Sequence, residues 1–251
     1  AFMRPEQMFP ERWRDVLEQK QQNDDYIFNQ KIYANDSGYF GGLMIMDVEP
    51  LTLTNNLIAA NHADEGGSGV YVMDSTGYLL HNTIANNTGG GEEGVLVDGV
   101  TNGNCTLTFT NTIVSSHTVG ITTTAGSTVT LDSALWYNNG TNIDGAGSIT
   151  TKNDYEGDPD FVNPAGGNYH IGAGSAALDK GVGTWVSEDI DGDARPQGEA
   201  PDLGADERLA ARPVGGASVP GRPLRVLLPW AGLAVFATFL LAGGTVAHVR
   251  R

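Results

Sequence analysis

Residues 54–61 read TNNLIAAN, residues 80–87 read LHNTIANN and residues 109–116 read FTNTIVSS. With Ile58, Ile84 and Ile113 in register, Asn56 lies over Asn82 and Asn111; Leu135 continues the series with Ser133 in the Asn slot, and Ile32 begins it with Gln30. A second motif recurs between them, a glycine followed by a short apolar run, at Gly42, Gly69, Gly94 and Gly120, at intervals of 27, 25 and 26 residues. Strand-sized runs of Val, Ile, Leu and Thr bounded by Gly and Asn, repeating at this period, are a solenoid signal; helical repeats would need longer runs of helix formers.

The expected fold is all-β, a parallel β-helix over residues 26–157 in which alternate side chains stack inward on their counterparts in the next coil. The Leu-x-x-Leu-x-Leu frame of leucine-rich repeats is absent. Asn56, Asn82 and Asn111 are read as a structural ladder at a coil corner, their amides bonding between coils where the backbone turns left-handed.

Charge narrows the partners. The 251-residue chain has a formal net charge of −16, and between Ile32 and Thr151 it has no Lys or Arg against eleven Asp and Glu. Such a surface repels nucleic acid and anionic lipid. The single cysteine, Cys105, rules out an intrachain disulfide and reads as a small buried side chain. The N-x-[ST] sequons at Asn35, Asn86, Asn104 and Asn139 are read as by-products of Asn-rich turns.

The two ends differ from the middle. Residues 1–25 are charged and helix-tolerant, an insertion or cap. Residues 208–225, rich in Pro and Gly, read as a flexible stalk. Residues 226–247 form an uncharged stretch of 22, with His248, Arg250 and Arg251 beyond it. That length spans a bilayer as a single transmembrane helix, leaving residues 248–251 as a cytoplasmic tail and the β-helix outside the cell. The chain starts at Ala1 without a visible export signal, and the expectation is that one lies upstream in a longer protein.

From Asp158 the repeat gives way to DPDFVNPAGGNYHIGAGSAALDKG and then, from Asp189, DIDGDARPQGEAPDLGADE. Asp158-Pro159-Asp160-Phe161, Ser175 through Gly181, Asp189 through Pro196 and Asp202 through Glu207 resemble the closing segment of bacterial right-handed parallel β-helix surface proteins, the pectate-lyase-like group called choice-of-anchor Q. Ala176 replaces the group's usual Pro, and Leu203 its usual Ile. The resemblance covers about residues 27–207 and implies a right-handed coil, a closing or capping segment at 158–207 and a cell-surface location with a variable anchor. It supplies no reaction.

β-Helix lyases typically use Arg or Lys as base, and the coils from Ile32 to Thr151 offer none. Hydrolysis needs paired carboxylates. Asp47 and Asp74 fall five residues after their coil glycines and Asp98 falls four after Gly94, so these three are the catalytic candidates; the rival reading is ordinary turn carboxylates. Asp189, Asp191 and Asp193 alternate as in calcium loops, with Gly192 permitting a sharp bend. Ala194 and Ala200 stand where an EF-hand needs Gly and Glu, and Arg195 is placed to neutralise the acids or to pair with Asp206 or Glu207. Calcium is the one candidate cofactor. The five histidines lack zinc spacing, and no nucleotide-binding fingerprint is present. The expected function is binding or display at the cell surface, of a glycan or other surface ligand, through loops such as 63–68 and 89–93. The alternative is a polysaccharide-degrading enzyme, a hydrolase rather than a lyase, with its catalytic coils upstream.

Overall fold

The computed structural model describes residues 26–91, 93–99 and 104–209. The proposed N-terminal segment, the transmembrane helix at 226–247 and its tail, and all but the first two residues of the proposed stalk lie outside the described residues. Among the described residues no helix is long and apolar enough to cross a membrane; the sole helical element is a 3-10 turn, Pro164–Gly166.

The chain winds as a parallel β-solenoid. One wall holds five stacked strands, Leu43–Met46, Val70–Met73, Glu93–Asp98, Val119–Thr123 and Thr141–Gly145, so four full turns separate first from last. Leu43 pairs with Val70, Val70 with Val95, Val95 with Ile121 and Ile121 with Ile143. These pairs put the four repeat glycines in one column. A Cβ at Gly42 would strike the Gly69 carbonyl, and one at Gly69 the Gly94 carbonyl, which is the steric reason for glycine there.

Corners are set by left-handed backbone in fixed columns. Asn29, Asn55, His81, Asn111, Ser133 and Asn153 all have positive φ, as do Ala34, Ala60, Asn86, Ser116 and Asn138 at a second corner and Asp47 and Asp74 at a third. Short polar side chains tolerate this conformation. Between corners the core is dry. Ile58, Ile84, Val114 and Trp136 stack in one inward column, and Leu53, Leu79, Phe109 and Leu131 in another.

The Ile58–Ile84–Ile113 register read from sequence holds for one step and then slips. Thr83 pairs with Ile113 and Ile84 with Val114, so 30 residues separate Ile84 from its partner, against 26 from Ile58 to Ile84. Asn111 therefore stacks with His81, not Asn82, and the expected ladder is corrected. Asn56 Nδ2 donates to Asn82 Oδ1 at 3.0 Å and Gln30 N donates to Asn56 Oδ1 at 3.0 Å, but Asn111 occupies the adjacent left-handed column. There its amide exchanges 2.8 Å bonds with the backbone of Val182.

A longer ladder runs one corner further on. Asn35 Nδ2 donates to Asn61 Oδ1 at 2.8 Å, Asn61 to Asn87 at 2.9 Å and Asn87 to His117 Nε2 at 3.2 Å, while His117 N donates to Asn139 Oδ1 at 3.1 Å. The Nδ2 of Asn61, Asn87 and Asn139 also reaches a carbonyl of the previous coil, for example Asn87 to Ile58 at 3.0 Å. The amides of Asn61 and Asn87, which are buried, are satisfied twice over, which is the condition for burying them without penalty.

The slip also changes what Ile113 and Leu135 do. A one-residue shift sends a side chain to the opposite face of a strand, so both point outward. They are nevertheless fully buried, packed with Ile171, Ala177 and Leu203 from residues 158–207. The segment expected to cap the last coil instead runs as a strap along the flank. Asn55 Nδ2 donates to Glu188 O at 2.6 Å, Gly204 N to Asn111 O at 2.8 Å, Ala205 N to Thr83 Oγ1 at 2.9 Å and Lys31 Nζ to Gly167 O at 2.6 Å. Gly204 has φ +89°, and a Cβ there would meet Ile113 and Thr83 at 2.6 Å, so the DLGADE turn needs glycine to lie this close. Burying Leu203 alone contributes about 2 kcal/mol.

Candidate functional site

The three catalytic candidates do not form one column. Asp74 follows Met73, which pairs with Asp98, so the counterpart of Asp47 and Asp74 is Gly99. Asp47 and Asp74 occupy left-handed corner positions. Asp98 lies one residue earlier, buried, with one oxygen accepting from Tyr71 Oη and the other from Thr124 Oγ1, each at 2.8 Å. Burial, then the bond to Asp98, raises the Tyr71 hydroxyl well above the usual phenol range. Asp98 serves as an internal acceptor that ties neighbouring coils together.

The calcium loop also rearranges. Asp189 is fully buried, and its Oδ1 accepts from the backbone N–H of Asp191 at 2.9 Å and of Asp193 at 2.8 Å, while Oδ2 accepts from Glu207 N at 2.8 Å. Its carboxylate is thus spent on the turn and on docking the end of the strap. Arg195, buried beneath, donates to Glu207 Oε2 at 3.0 Å and to the Gly204 carbonyl at 2.9 Å; Asp206 meets it only through its carbonyl, at 3.4 Å. Asp202, beside them, is pushed up to about 6 by burial.

Asp206 turns its carboxylate elsewhere. Its Oδ1 lies 2.8 Å from His170 Nδ1, and Asp191 Oδ2 lies 3.4 Å from the same nitrogen. His170 comes from strand Asn168–Ile171, Asp191 from the turn that followed the calcium reading, and Asp206 from the DLGADE turn. The hydrogen bond to Asp206 raises the imidazole above its ordinary pKa, and burial followed by the neighbouring acids raises Asp191. The three border a shallow cavity of about 150 Å³ completed by Lys31, Thr83 and Tyr169. Sequence reading found Asp191 but not its partners, since a separation of 21 residues to His170 and 15 to Asp206 matches no metal-binding spacing.

The outer face of the wall bearing Leu51–Thr54 forms a second candidate surface. Tyr26, Thr52, Tyr78, Thr108, Thr130 and Thr150 make one outward column through pairings of five successive strands with the next, in which Thr52, between the two tyrosines, is buried. Thr106, Thr128 and Ser148 run beside it. Tyr26 and Tyr78 are each 54% exposed, and nothing in these columns carries charge. Alternation between polar and apolar residues, as in TLTFT and TVTL, was the visible signal. The loops at 63–68 and 89–93 lie against each other, with Gly91 N donating to Gly66 O at 2.9 Å.

Residues 18–135 match the family model described as a right handed beta helix region. Together with the parallel solenoid, this match supports a right-handed β-helix over those residues. No curated protein and no solved structure matches the chain.

Proposed function

We propose that this protein is a cell-surface β-helix that binds a neutral, extended polysaccharide along the Tyr26–Thr150 column, and that residues 226–247 anchor it in the membrane. The observation that carries the reading is the pairing of Tyr26 with Thr52 and of Thr52 with Tyr78. It sets two half-exposed aromatic rings two rungs apart, roughly 9.6 Å at a strand spacing of about 4.8 Å. An aromatic ring offers an apolar face for the C–H face of a pyranose and a polar edge for its hydroxyls. Two rings at that separation suit alternate sugars of an extended chain, and the threonine hydroxyls continue the line. The acidic charge of the chain favours a neutral glycan over an acidic one.

The test is affinity electrophoresis of the full chain in gels containing neutral β-linked glucans or a polyuronate, with reducing ends assayed in parallel. Retardation by a neutral glucan that Tyr78→Ala weakens at least fivefold, without turnover, supports the proposal. Unchanged retardation in the variant, or preference for the polyuronate, overturns it, and release of reducing ends supports the enzyme reading instead.

A further inference from the structure

We propose that His170, Asp191 and Asp206 form a binding site for a divalent transition metal of the zinc class on the flank of the β-helix. One imidazole nitrogen and two carboxylate oxygens from three separate segments lie within 4.8 Å of one another. Ligands held about 2.0–2.2 Å from a tetrahedral zinc ion stand roughly 3.3 Å apart. The Asp191–His170 separation of 3.4 Å already meets this, and the 2.8 Å contact with Asp206 needs to open by about half an ångström once the imidazole gives its proton to solvent.

Two features support the cluster as a site. Asp206 Oδ2 accepts from Ile171 N at 2.8 Å, an outer bond that fixes the ligand oxygen. The cavity borders the same three residues, giving access and room for water in the remaining position. Lys31 shares that cavity, but its ammonium is turned onto the Gly167 carbonyl at 2.6 Å. Arg195 is engaged by Glu207, and His170 faces Asp206, Asp191 and Asp189. Nitrogen in the donor set selects zinc or cobalt over calcium, which takes six to eight oxygens.

The test uses the full chain in detergent, titrated with Zn2+ against a chromophoric chelator and with Co2+ followed by its visible absorption. The expected result is one Zn2+ per chain, a Co2+ spectrum showing nitrogen ligation, and no displacement by millimolar Ca2+. His170→Ala should weaken Zn2+ at least a hundredfold. Asp191→Asn, at an exposed position, should weaken it about tenfold while leaving the thermal unfolding of the metal-free protein unchanged. Absence of stoichiometric binding, binding that survives His170→Ala, or displacement by Ca2+ overturns the proposal.

Discussion

His117 occupies the ladder column that Asn35, Asn61, Asn87 and Asn139 fill in the other coils, and this substitution should make the fold sensitive to acid. Its Nε2 accepts from Asn87, and its Nδ1 is buried without a partner. Burial pushes its pKa down from 6.5 to about 4. His81 is pushed down to about 3, by burial and then by Arg195. In both cases the unfolded chain takes up a proton below pH 6.5 that the folded chain refuses, so stability is full above that pH and is lost as pH falls toward the folded values. Each histidine costs about 2 kcal/mol at pH 5 relative to pH 7, or about 4 kcal/mol together. Asp202, with its folded pKa raised, acts in the opposite sense: the folded state binds its proton first, which returns about 1 kcal/mol over the same interval. His170, Asp154 and Asp191, also shifted up, act in that sense too.

The comparison that isolates His117 is His117→Asn. An Asn side chain there places an oxygen to accept from Asn87 and an amide to donate to Asn139, as at the other rungs, although it gives up the contact of the imidazole with Gly94. Urea unfolding at pH 7 should give nearly equal stabilities for the two proteins. At pH 5 the variant should be more stable by about 2 kcal/mol, which is the histidine's share of the linkage. Parallel pH profiles for variant and parent would refute the claim that His117 is held neutral in the fold.

Asn87→Ala removes the acceptor of two Asn61 donors and should cost about 4 kcal/mol at 1–3 kcal/mol per orphaned group, read from the urea midpoint; a loss under 1 kcal/mol would contradict the ladder. Arg195→Met leaves the buried Glu207 carboxylate without its cation and should cost about 3–5 kcal/mol, with the strap becoming the first segment cut by protease. Ile113→Ala should cost about 3 kcal/mol although its side chain points away from the solenoid interior; hydrogen exchange should show that loss concentrated in residues 171–205.

The period, the glycine column and the parallel coil were legible because each rests on local chemistry: a Cβ that cannot fit, or a corner that needs positive φ. Register over the third coil was not. FTNTIVSS offers both Ile113 and Val114 as the inward residue, and matching Asn82 to Asn111 was the stronger textual likeness, yet the pairing of Ile84 falls one residue later, on Val114. The ladder through Asn61 and Asn87 was present in the first two quoted motifs, as the last residue of each, but its next member is His117, which no search for Asn would join. The His170–Asp191–Asp206 cluster was illegible for a different reason. Its members meet only because the strap folds back along the flank, a long-range event that no spacing encodes.

The register slip also explains where that cluster lies. The outward column beneath the strap runs Lys31, Leu57, Thr83, Ile113, Leu135, Tyr155. At Ile113 and Leu135 it is apolar, and the strap answers with Ile171, Ala177 and Leu203 in a dry contact. Around Thr83 and Lys31 it is mixed: Leu57, between them, is buried in an apolar cluster with Tyr169, and there the strap also presents His170, Asp191 and Asp206 around the cavity. The same segment is thus held by apolar contacts at both places, with the cavity beside the second. Had Ile113 faced inward, as the Ile58–Ile84–Ile113 alignment implies, the strap would lose its apolar anchor, and Asp206 and His170 would have no scaffold to bring them within 2.8 Å. Burial at Ile113 and ligand geometry at His170 are therefore one structural fact: a variant that loosens the first should also weaken metal binding at the second.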